Sequence, residues 1–213
     1  MQSTNRTLPI NFHKDRCFLD VETTKDEIPV QVALLDSDGQ IMFCEFIKQD
    51  QFFFEKTDQK VHCGINDIDL INARYTWAEA SKIIQYMLRG RIVWVFNLEY
   101  DMKFFTCKLS SAFRAHCAMK RFSNFYGDYS MDYWKGDQPK YKSLSFASNY
   151  FDINRQEEKY KVISDVYKLR ALVSKLDNLE IERKCKKNIS DTNISKFNIE
   201  NKNIINLGQN HYG

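Results

Sequence analysis

The sequence predicts an α/β protein built on a mixed sheet with helices on both faces. Two observations carry this prediction: a β-hairpin pattern stands at the front of the chain, and strands alternate with helices behind it. Of the 213 residues, 28% are charged and 14% are aromatic, which excludes a wholly disordered or collagen-like chain. A chain of this length buries enough surface to fold without a metal or a disulfide.

Three short apolar segments make up the front of the chain. Residues 16–22 and 28–35 are mostly apolar, and residues 41–47 form a third segment. The turn sequence DSDG separates the last two segments, and it indicates an antiparallel hairpin.

Helices and strands alternate after a polar connector. Thr76 and Glu79 have the spacing of a capping box, so they predict a helix that begins there and ends at Gly90. A buried strand follows at residues 91–96. Behind it we expect a helix at residues 99–109, a strand at 113–118 and a helix at 119–126. After a loop containing Gly and Pro, Ser143 caps a short helix, and a long last helix follows at residues 159–176.

The composition changes at both ends of this pattern. Residues 15–176 are predicted to form one domain, preceded by an N-terminal extension of residues 1–14. Residues 177–213 form a polar C-terminal extension rich in Asn, Lys and Ile. From residue 188 the extension has little hydrophobic periodicity, so we expect a tail that is weakly ordered or docked.

The small net charge of +3 (31 basic against 28 acidic residues) is unevenly placed. Residues 103–142 hold 8 basic and 3 acidic side chains together with ten aromatic ones. Interleaved basic and aromatic residues can follow phosphates and stack on the bases of a single strand. The alternative is a cationic surface over an aromatic core.

The sequence also predicts a cytoplasmic protein that does not bind membranes. No charge-free run approaches the roughly 20 apolar residues of a membrane span, and the first residues lack an apolar signal core. The six cysteines form no Cys-x-x-Cys pair and indicate reduced thiols. The pairs at residues 62–63 and 116–117 each join His to Cys, but adjacent side chains seldom reach one zinc ion together.

Two carboxylates stand at the end of the first strand. Side chains two positions apart in a strand point to the same face, so Asp20 and Glu22 project together while Val21 points into the core. Paired carboxylates repel each other unless a cation or a proton lies between them. Hard oxygen ligands suit Mg²⁺ or Mn²⁺ better than zinc. The alternative is a pair of solvated side chains.

Two further carboxylates occupy positions that favour the same site. Asp101 follows the buried strand of residues 91–96. If that strand is parallel to the first, the carboxyl ends of both strands open on one crevice. Asp165 stands among apolar neighbours in the last helix, where an unpaired carboxylate is costly. The alternatives are a favourable helix-dipole interaction for Asp101, and for Asp165 a salt bridge to Arg155 or Lys161.

The order of these residues resembles a known family. Asp20 and Glu22 stand in DVETT, Asn97 precedes Asp101 in NLEYD, and Asp165 follows in ISDVY. This series resembles the motifs of the DnaQ-like (DEDD superfamily) 3′–5′ exonucleases. Linking segments are similar to that family as well: VHCGIN, CAM, FYG and YKSL, at residues 61–66, 117–119, 125–127 and 141–144. The resemblance covers residues 15–176.

The resemblance implies a ribonuclease H-like fold with a mixed five-stranded sheet, and two Mg²⁺ or Mn²⁺ ions roughly 4 Å apart. It implies that Asp20 bridges both ions and that Glu22, Asp101 and Asp165 complete the site. One ion would acidify the attacking water, and the other would stabilise the leaving 3′-oxygen.

The resemblance also implies the substrate, which is the 3′ end of DNA or RNA, mainly single-stranded. Thr23 and Thr24 would contact the terminal nucleotide. Asn97 would contact the strand or support Asp101. A protein partner, where there is one, would bind through the C-terminal extension.

One position departs from the family pattern. The histidine branch of the family places His five residues before the last Asp, and the tyrosine branch places Tyr four residues before it. Here Tyr160 stands five residues before Asp165 and Lys161 four residues before it. Because a free Tyr has a pKa of about 10, Tyr160 is a poor general base near neutral pH. We expect it to orient the attacking water instead.

Three functions are therefore open at the level of sequence. The first is an active metal-dependent 3′–5′ exonuclease in which Tyr160 positions the water. The second is a DnaQ-like domain with weak or no catalysis that binds nucleic-acid ends or a protein partner. The third is a different hydrolase on the same fold, such as a phosphatase-like enzyme or a ribonuclease.

Overall fold

The computed structural model describes residues 15–50, 65–105, 114–132, 136–153 and 160–208. The chain consists of two units, Met1–Val173 and Ser174–Gly213. Some sequence-based expectations lie outside the described residues, namely those for the N-terminal extension at residues 1–14, the His-Cys pair at residues 62–63 and Arg155.

The first unit contains a five-stranded mixed sheet, as the sequence predicts. Its strands are β1 (Arg16–Thr23), β2 (Pro29–Asp36), β3 (Ile41–Phe46), β4 (Ile92–Val95) and β5 (Arg114–Cys117). They lie in the order β3-β2-β1-β4-β5. The pairs β1–β2 and β2–β3 are antiparallel, whereas β1–β4 and β4–β5 are parallel. This arrangement is compatible with the ribonuclease H-like fold.

Helices connect and cover these strands. They are α1 (Asp67–Ile71), α2 (Trp77–Met87), α3 (Leu98–Asp101) with a 3-10 turn at Met102–Phe104, α4 (Ala118–Tyr126), α5 (Leu144–Tyr150) and α6 (Lys161–Gly208). Of the helices in the described ranges, none combines the length and apolar character needed to span a bilayer.

The capping residues of α2 act as the sequence predicts. Thr76 donates its backbone N–H to Glu79 Oε2 at 2.9 Å, and its Oγ1 accepts the backbone N–H of Glu79. The chain leaves the helix through Gly90, whose φ of +72° lies in the left-handed region that glycine adopts without strain.

Four segments differ from the sequence-based expectations. The helix expected at residues 99–109 is the short α3 followed by a 3-10 turn that ends at Phe104, and residues 106–109 lie outside the described part of the chain. The polar connector contains α1, and the expected loop before Ser143 contains an antiparallel hairpin of β6 (Tyr129–Asp132) and β7 (Gly136–Pro139). Helix α6 continues to Gly208 instead of ending near residue 176. Residues 161–207 contain neither Gly nor Pro, so no strong helix breaker ends the helix sooner.

The two faces of β1 carry different side chains. Cys17, Leu19 and Val21 are buried in the core cluster that includes Ile84 of α2. The alternate residues of the strand point to the opposite face, where Lys161 at the start of α6 pairs with Glu22. Helices therefore lie on both faces of the sheet, as predicted.

Helix α6 also contacts the turn between β2 and β3. Arg170 Nε donates to the carbonyl oxygen of Ser37 at 2.9 Å, and the Tyr167 hydroxyl donates to the carbonyl oxygen of Gly39 at 3.0 Å. Gly39 has a φ of +86°, and a Cβ at this position would lie 3.3 Å from the Arg170 guanidinium. The turn therefore favours glycine both for its backbone conformation and for the close approach of Arg170.

Candidate metal centre

The central strand β1 positions the first pair of carboxylates. Asp20 lies opposite Ala33 and Glu22 opposite Gln31 in the antiparallel pairing with β2. Asp20 is half-buried, and Glu22 is only 8% exposed. The predicted pairing of these two side chains on one face is confirmed, because one carboxylate oxygen of each lies within 4.8 Å of the other.

Strand β4 brings Asp101 to the same edge of the sheet. Phe18 of β1 pairs with Trp94 of β4 in parallel, so the carboxyl ends of both strands open on one side. Asp101 closes the short helix α3 that follows β4, and it is 4% exposed. It contributes to the same pocket wall as Asp20 and Glu22.

The first turns of α6 supply the fourth carboxylate. Asp20, Glu22 and Asp165 each have a carboxylate oxygen that lies within 4.8 Å of the corresponding oxygens of the other two residues. All the donors in this cluster are carboxylate oxygens, which are the ligands that Mg²⁺ and Mn²⁺ prefer. The donor set therefore fits a hard divalent cation.

These side chains surround an open pocket of about 250 Å³. Its wall includes three of the four carboxylates, three uncharged polar residues and one lysine: Asp20, Glu22, Asp101, Thr23, Asn97, Tyr100 and Lys161. A pocket with this lining repels a phosphate group until a cation neutralises the carboxylates. Metal binding would therefore have to precede the binding of any phosphate-containing substrate.

The carboxylates shift one another's pKa values. Burial raises the pKa of Asp20 well above its usual range, and the charges of Asp101, Glu22 and Asp165 raise it further, while Lys161 opposes the shift. Burial likewise raises the pKa of Asp101 to about 7, against hydrogen bonds to the backbone of Val21 and Asn97 that lower it. Such shifts mean that the site favours added positive charge, whether a proton or a metal ion.

Lys161 supplies a positive charge at this site. Its ammonium pairs with Glu22 Oε1 and lies 2.9 Å from Asp165 Oδ2. Burial alone would lower the pKa of Lys161, but hydrogen bonds to both carboxylates more than offset it and raise the pKa. The alternative role for Asp165, a salt bridge to Lys161, is therefore present in the structure. The same ammonium also pairs with Glu22.

The predicted substrate-binding residues differ in their contacts. Thr23 Oγ1 lies 2.6 Å from the hydroxyl oxygen of Tyr100, and Asn97 lines the pocket at the start of α3. Thr24 is 5% exposed, and its Oγ1 accepts the backbone N–H of Ile28, which closes the turn after β1. Contact of these residues with a nucleotide stays a prediction.

Tyr160 lies immediately before α6. Its ring packs edge-on against Phe46 of β3, with ring centroids 5.0 Å apart. This contact fixes the ring through its apolar part. The role of the Tyr160 hydroxyl in orienting water stays a prediction.

Cysteine and histidine side chains take part in packing. Burial raises the pKa of Cys17 to about 12, so this thiol stays protonated and is a poor nucleophile near neutral pH. The His116 ring stacks on Trp94 at a centroid distance of 4.9 Å, and Cys117 Sγ accepts the backbone N–H of Lys120 at the start of α4. These contacts give His116 and Cys117 structural roles.

Sequence reasoning missed Tyr100 and the contact of Lys161 with Glu22. Tyr100 carries no signal in the sequence beyond its place next to Asp101. Lys161 had a signal, because its spacing of four residues from Asp165 puts both side chains on one helix face. Its contact with Glu22 joins residues 139 positions apart and depends on the tertiary fold.

No family profile and no curated protein matches this chain. The relation to the DnaQ-like exonucleases therefore stays a resemblance in motifs.

Proposed function

We propose that the protein is a metal-dependent 3′–5′ exonuclease that hydrolyses phosphodiester bonds at the 3′ end of mainly single-stranded DNA or RNA. The observation that carries the proposal is the meeting of Asp20, Glu22 and Asp165 within 4.8 Å, beside a pocket that Asp101 also lines. These four carboxylates carry the resemblance to the DnaQ-like motifs, and they come from three separate parts of the chain.

The residues of the site have separate tasks in this proposal. Two divalent ions, when bound, supply the acidification of the attacking water and the stabilisation of the leaving oxygen. Asp20 would hold both ions, as the resemblance to the DnaQ-like motifs implies, and Glu22, Asp101 and Asp165 would complete the site. Tyr160 would orient the water.

The pocket wall offers groups that suit the terminal nucleotide. Thr23, Asn97 and Tyr100 line the pocket with hydroxyl and amide groups. Such groups hydrogen-bond to sugar hydroxyls and phosphate oxygens and place the scissile bond against the carboxylates.

An aromatic surface on α4 and α5 supports a single-stranded substrate. Tyr126, Phe146 and Tyr150 are 37%, 39% and 49% exposed. The Tyr126 ring centroid lies 5.3 Å from that of Phe146 and 5.4 Å from that of Tyr150, and Lys142 Nζ lies 5.4 Å from the Tyr126 and Phe146 centroids. Exposed rings beside a cation are suited to stacking with unpaired bases.

A degradation assay tests this function. A single-stranded oligonucleotide labelled at its 5′ end is incubated with the protein and Mn²⁺ or Mg²⁺, and the products are separated by size. We expect a ladder of products shortened from the 3′ end, which EDTA and Asp20→Asn both abolish. The matched control Asp38→Asn changes an exposed carboxylate in the β2–β3 turn and should leave the ladder unchanged. A wild type that yields no ladder with either metal would contradict the proposal.

A second function is favoured by the Lys161 contacts. An ammonium that already pairs with both Glu22 and Asp165 is consistent with a DnaQ-like domain that binds nucleic-acid ends or a protein partner without cleaving. The same assay separates the two functions. A ladder produced by Tyr160→His but not by the wild type would favour the binding domain.

A further inference from the structure

Lys161 occupies the place where a cation would be bound. Its ammonium contacts Glu22 and Asp165, two of the three carboxylates whose oxygens cluster within 4.8 Å. Glu22 is 8% exposed, so the ammonium contacts a carboxylate that is almost completely buried. A divalent ion bound by the same oxygens would compete with the ammonium, because the two cations repel each other at contact distance.

The position of Lys161 in the fold allows its ammonium to leave. Lys161 is the first residue of α6, and its side chain is 54% exposed. Four methylene groups connect the ammonium to the backbone, so a rotation of the side chain carries it away from the carboxylates without moving the helix. The two carboxylates lie on β1 and α6 and stay in place.

We propose that Lys161 is a resident counter-cation that a divalent metal ion must displace from Glu22 and Asp165. This inference rests on the proposed metal-dependent function. In the metal-free protein the ammonium offsets the repulsion among the carboxylates and keeps the site assembled. The same contact competes with the metal ion, so it lowers the affinity for metal.

Calorimetric titration with Mn²⁺ tests the competition. Lys161→Met removes the charge and keeps a flexible side chain of similar length. We expect it to bind Mn²⁺ at least about tenfold more tightly than the wild type, a difference of about 1.4 kcal/mol. Lys161→Arg keeps a cation and should bind Mn²⁺ with close to wild-type affinity.

Lys120→Met is the matched control. Lys120 Nζ lies 2.5 Å from Glu99 Oε1, and its side chain is 45% exposed, which is close to the value for Lys161. This variant also removes one ion-paired ammonium, and its affinity for Mn²⁺ should equal that of the wild type. Equal affinities of the wild type and Lys161→Met would overturn the inference and leave the metal site standing. If neither protein bound Mn²⁺, the metal-dependent function would fall together with the inference.

A second measurement uses the wild type alone and decides the matter if Lys161→Met does not fold. Amine acylation by acetic anhydride, read by mass spectrometry at each lysine, reports how accessible each ammonium is. Saturating Mn²⁺ should raise the acylation rate of Lys161 severalfold and leave that of Lys120 unchanged. An unchanged rate at Lys161, when calorimetry shows that Mn²⁺ is bound, would overturn the inference.

Discussion

The hydroxyl oxygen of Tyr100 lies 2.6 Å from Oγ1 of Thr23. This hydrogen bond joins the end of β1, which carries Asp20 and Glu22, to α3, which carries Asp101. The two segments are 77 residues apart in the chain. The contact therefore holds together the two sides of the pocket at the place where the carboxylates meet.

Tyr100→Phe tests the importance of this contact. The variant keeps the ring, which packs against Phe104 at a centroid distance of 5.4 Å and lies beneath Lys103 Nζ at 4.0 Å. It removes one hydrogen bond, so the free energy of unfolding should fall by about 1 kcal/mol. The rate of 3′-end cleavage should also fall, and by a larger factor than the loss of folded protein alone would cause.

The control is a double-mutant cycle with Thr23→Val, measured by denaturant unfolding and by cleavage rate. Because both substitutions remove the same hydrogen bond, the double variant should be little worse than either single one. Additive losses would show that Thr23 and Tyr100 act independently.

Asp101 makes the stability of the metal-free protein depend on pH. Its folded-state pKa of about 7 lies above the value of about 3.9 for an exposed Asp. Below pH 4 the Asp101 carboxyl is protonated in both the folded and the unfolded state, so folding buries a neutral group and not a charge. As pH rises from about 4 to about 7, the unfolded chain releases this proton first, so the free energy of unfolding falls.

Asp101→Asn removes this titration and keeps a neutral group of similar shape. In EDTA, we expect the wild type to lose more stability between pH 4.5 and pH 8 than Asp101→Asn does, as measured by urea unfolding at several pH values. Asp38→Asn, which changes an exposed carboxylate, should follow the wild type. Parallel pH curves for the wild type and Asp101→Asn would show that Asp101 titrates normally.

Tyr160→Phe separates the packing of this ring from its chemistry. Phe keeps the edge-on contact with Phe46, so thermal stability should hardly change. If the hydroxyl orients the attacking water, kcat should fall about tenfold or more while KM stays nearly constant. Tyr160→His introduces a base with a pKa of about 6.5 at the histidine-branch spacing, and it should speed cleavage near neutral pH. An unchanged kcat in Tyr160→Phe would remove Tyr160 from the mechanism.

Phe122 is the centre of an aromatic cluster on α4 and α5. It is fully buried, and five aromatic rings surround it at centroid distances of 5.7 to 6.5 Å. Phe122→Ala should lower the free energy of unfolding by about 3–5 kcal/mol, measured in urea, because it leaves a cavity. Ile68→Ala, at a side chain that is 69% exposed, should change it by only about 0.5 kcal/mol. Similar losses in the two variants would mean that the cluster adds little to the core.

Local signals in the sequence were sufficient for much of the fold. The capping box of Thr76 and Glu79 and the left-handed Gly90 each act within one or two helical turns. The two ends of α2 could therefore be predicted without any tertiary contact. The alternation along β1 likewise put Asp20 and Glu22 on one face. The parallel pairing of β1 with β4, confirmed in the sheet, then brings Asp101 to the same pocket.

Other features depend on contacts between distant parts of the chain. The β6–β7 hairpin forms where the sequence has Gly and Pro, and cross-strand pairing overrides those loop signals. The bridge from Lys161 to Glu22 requires β1 and α6 to meet, which no local pattern encodes. In the stretch of residues 103–142, Phe122 is buried while Tyr126 beside it is 37% exposed, so the same stretch supplies core and surface rings, and its contact with a nucleic acid stays a prediction.

The contact of α6 with the β2–β3 turn has a consequence for the metal centre. Arg170 and Tyr167 hold the turn at Ser37 and Gly39, and Asp165 lies on the same helix, about 7.5 Å along the axis from Arg170. Two hydrogen bonds between the turn and α6 thus help to fix the position of the helix that carries Asp165. A side chain at Gly39 would meet the Arg170 guanidinium at 3.3 Å, so a substitution there would disturb a support of the metal centre that lies outside the pocket itself.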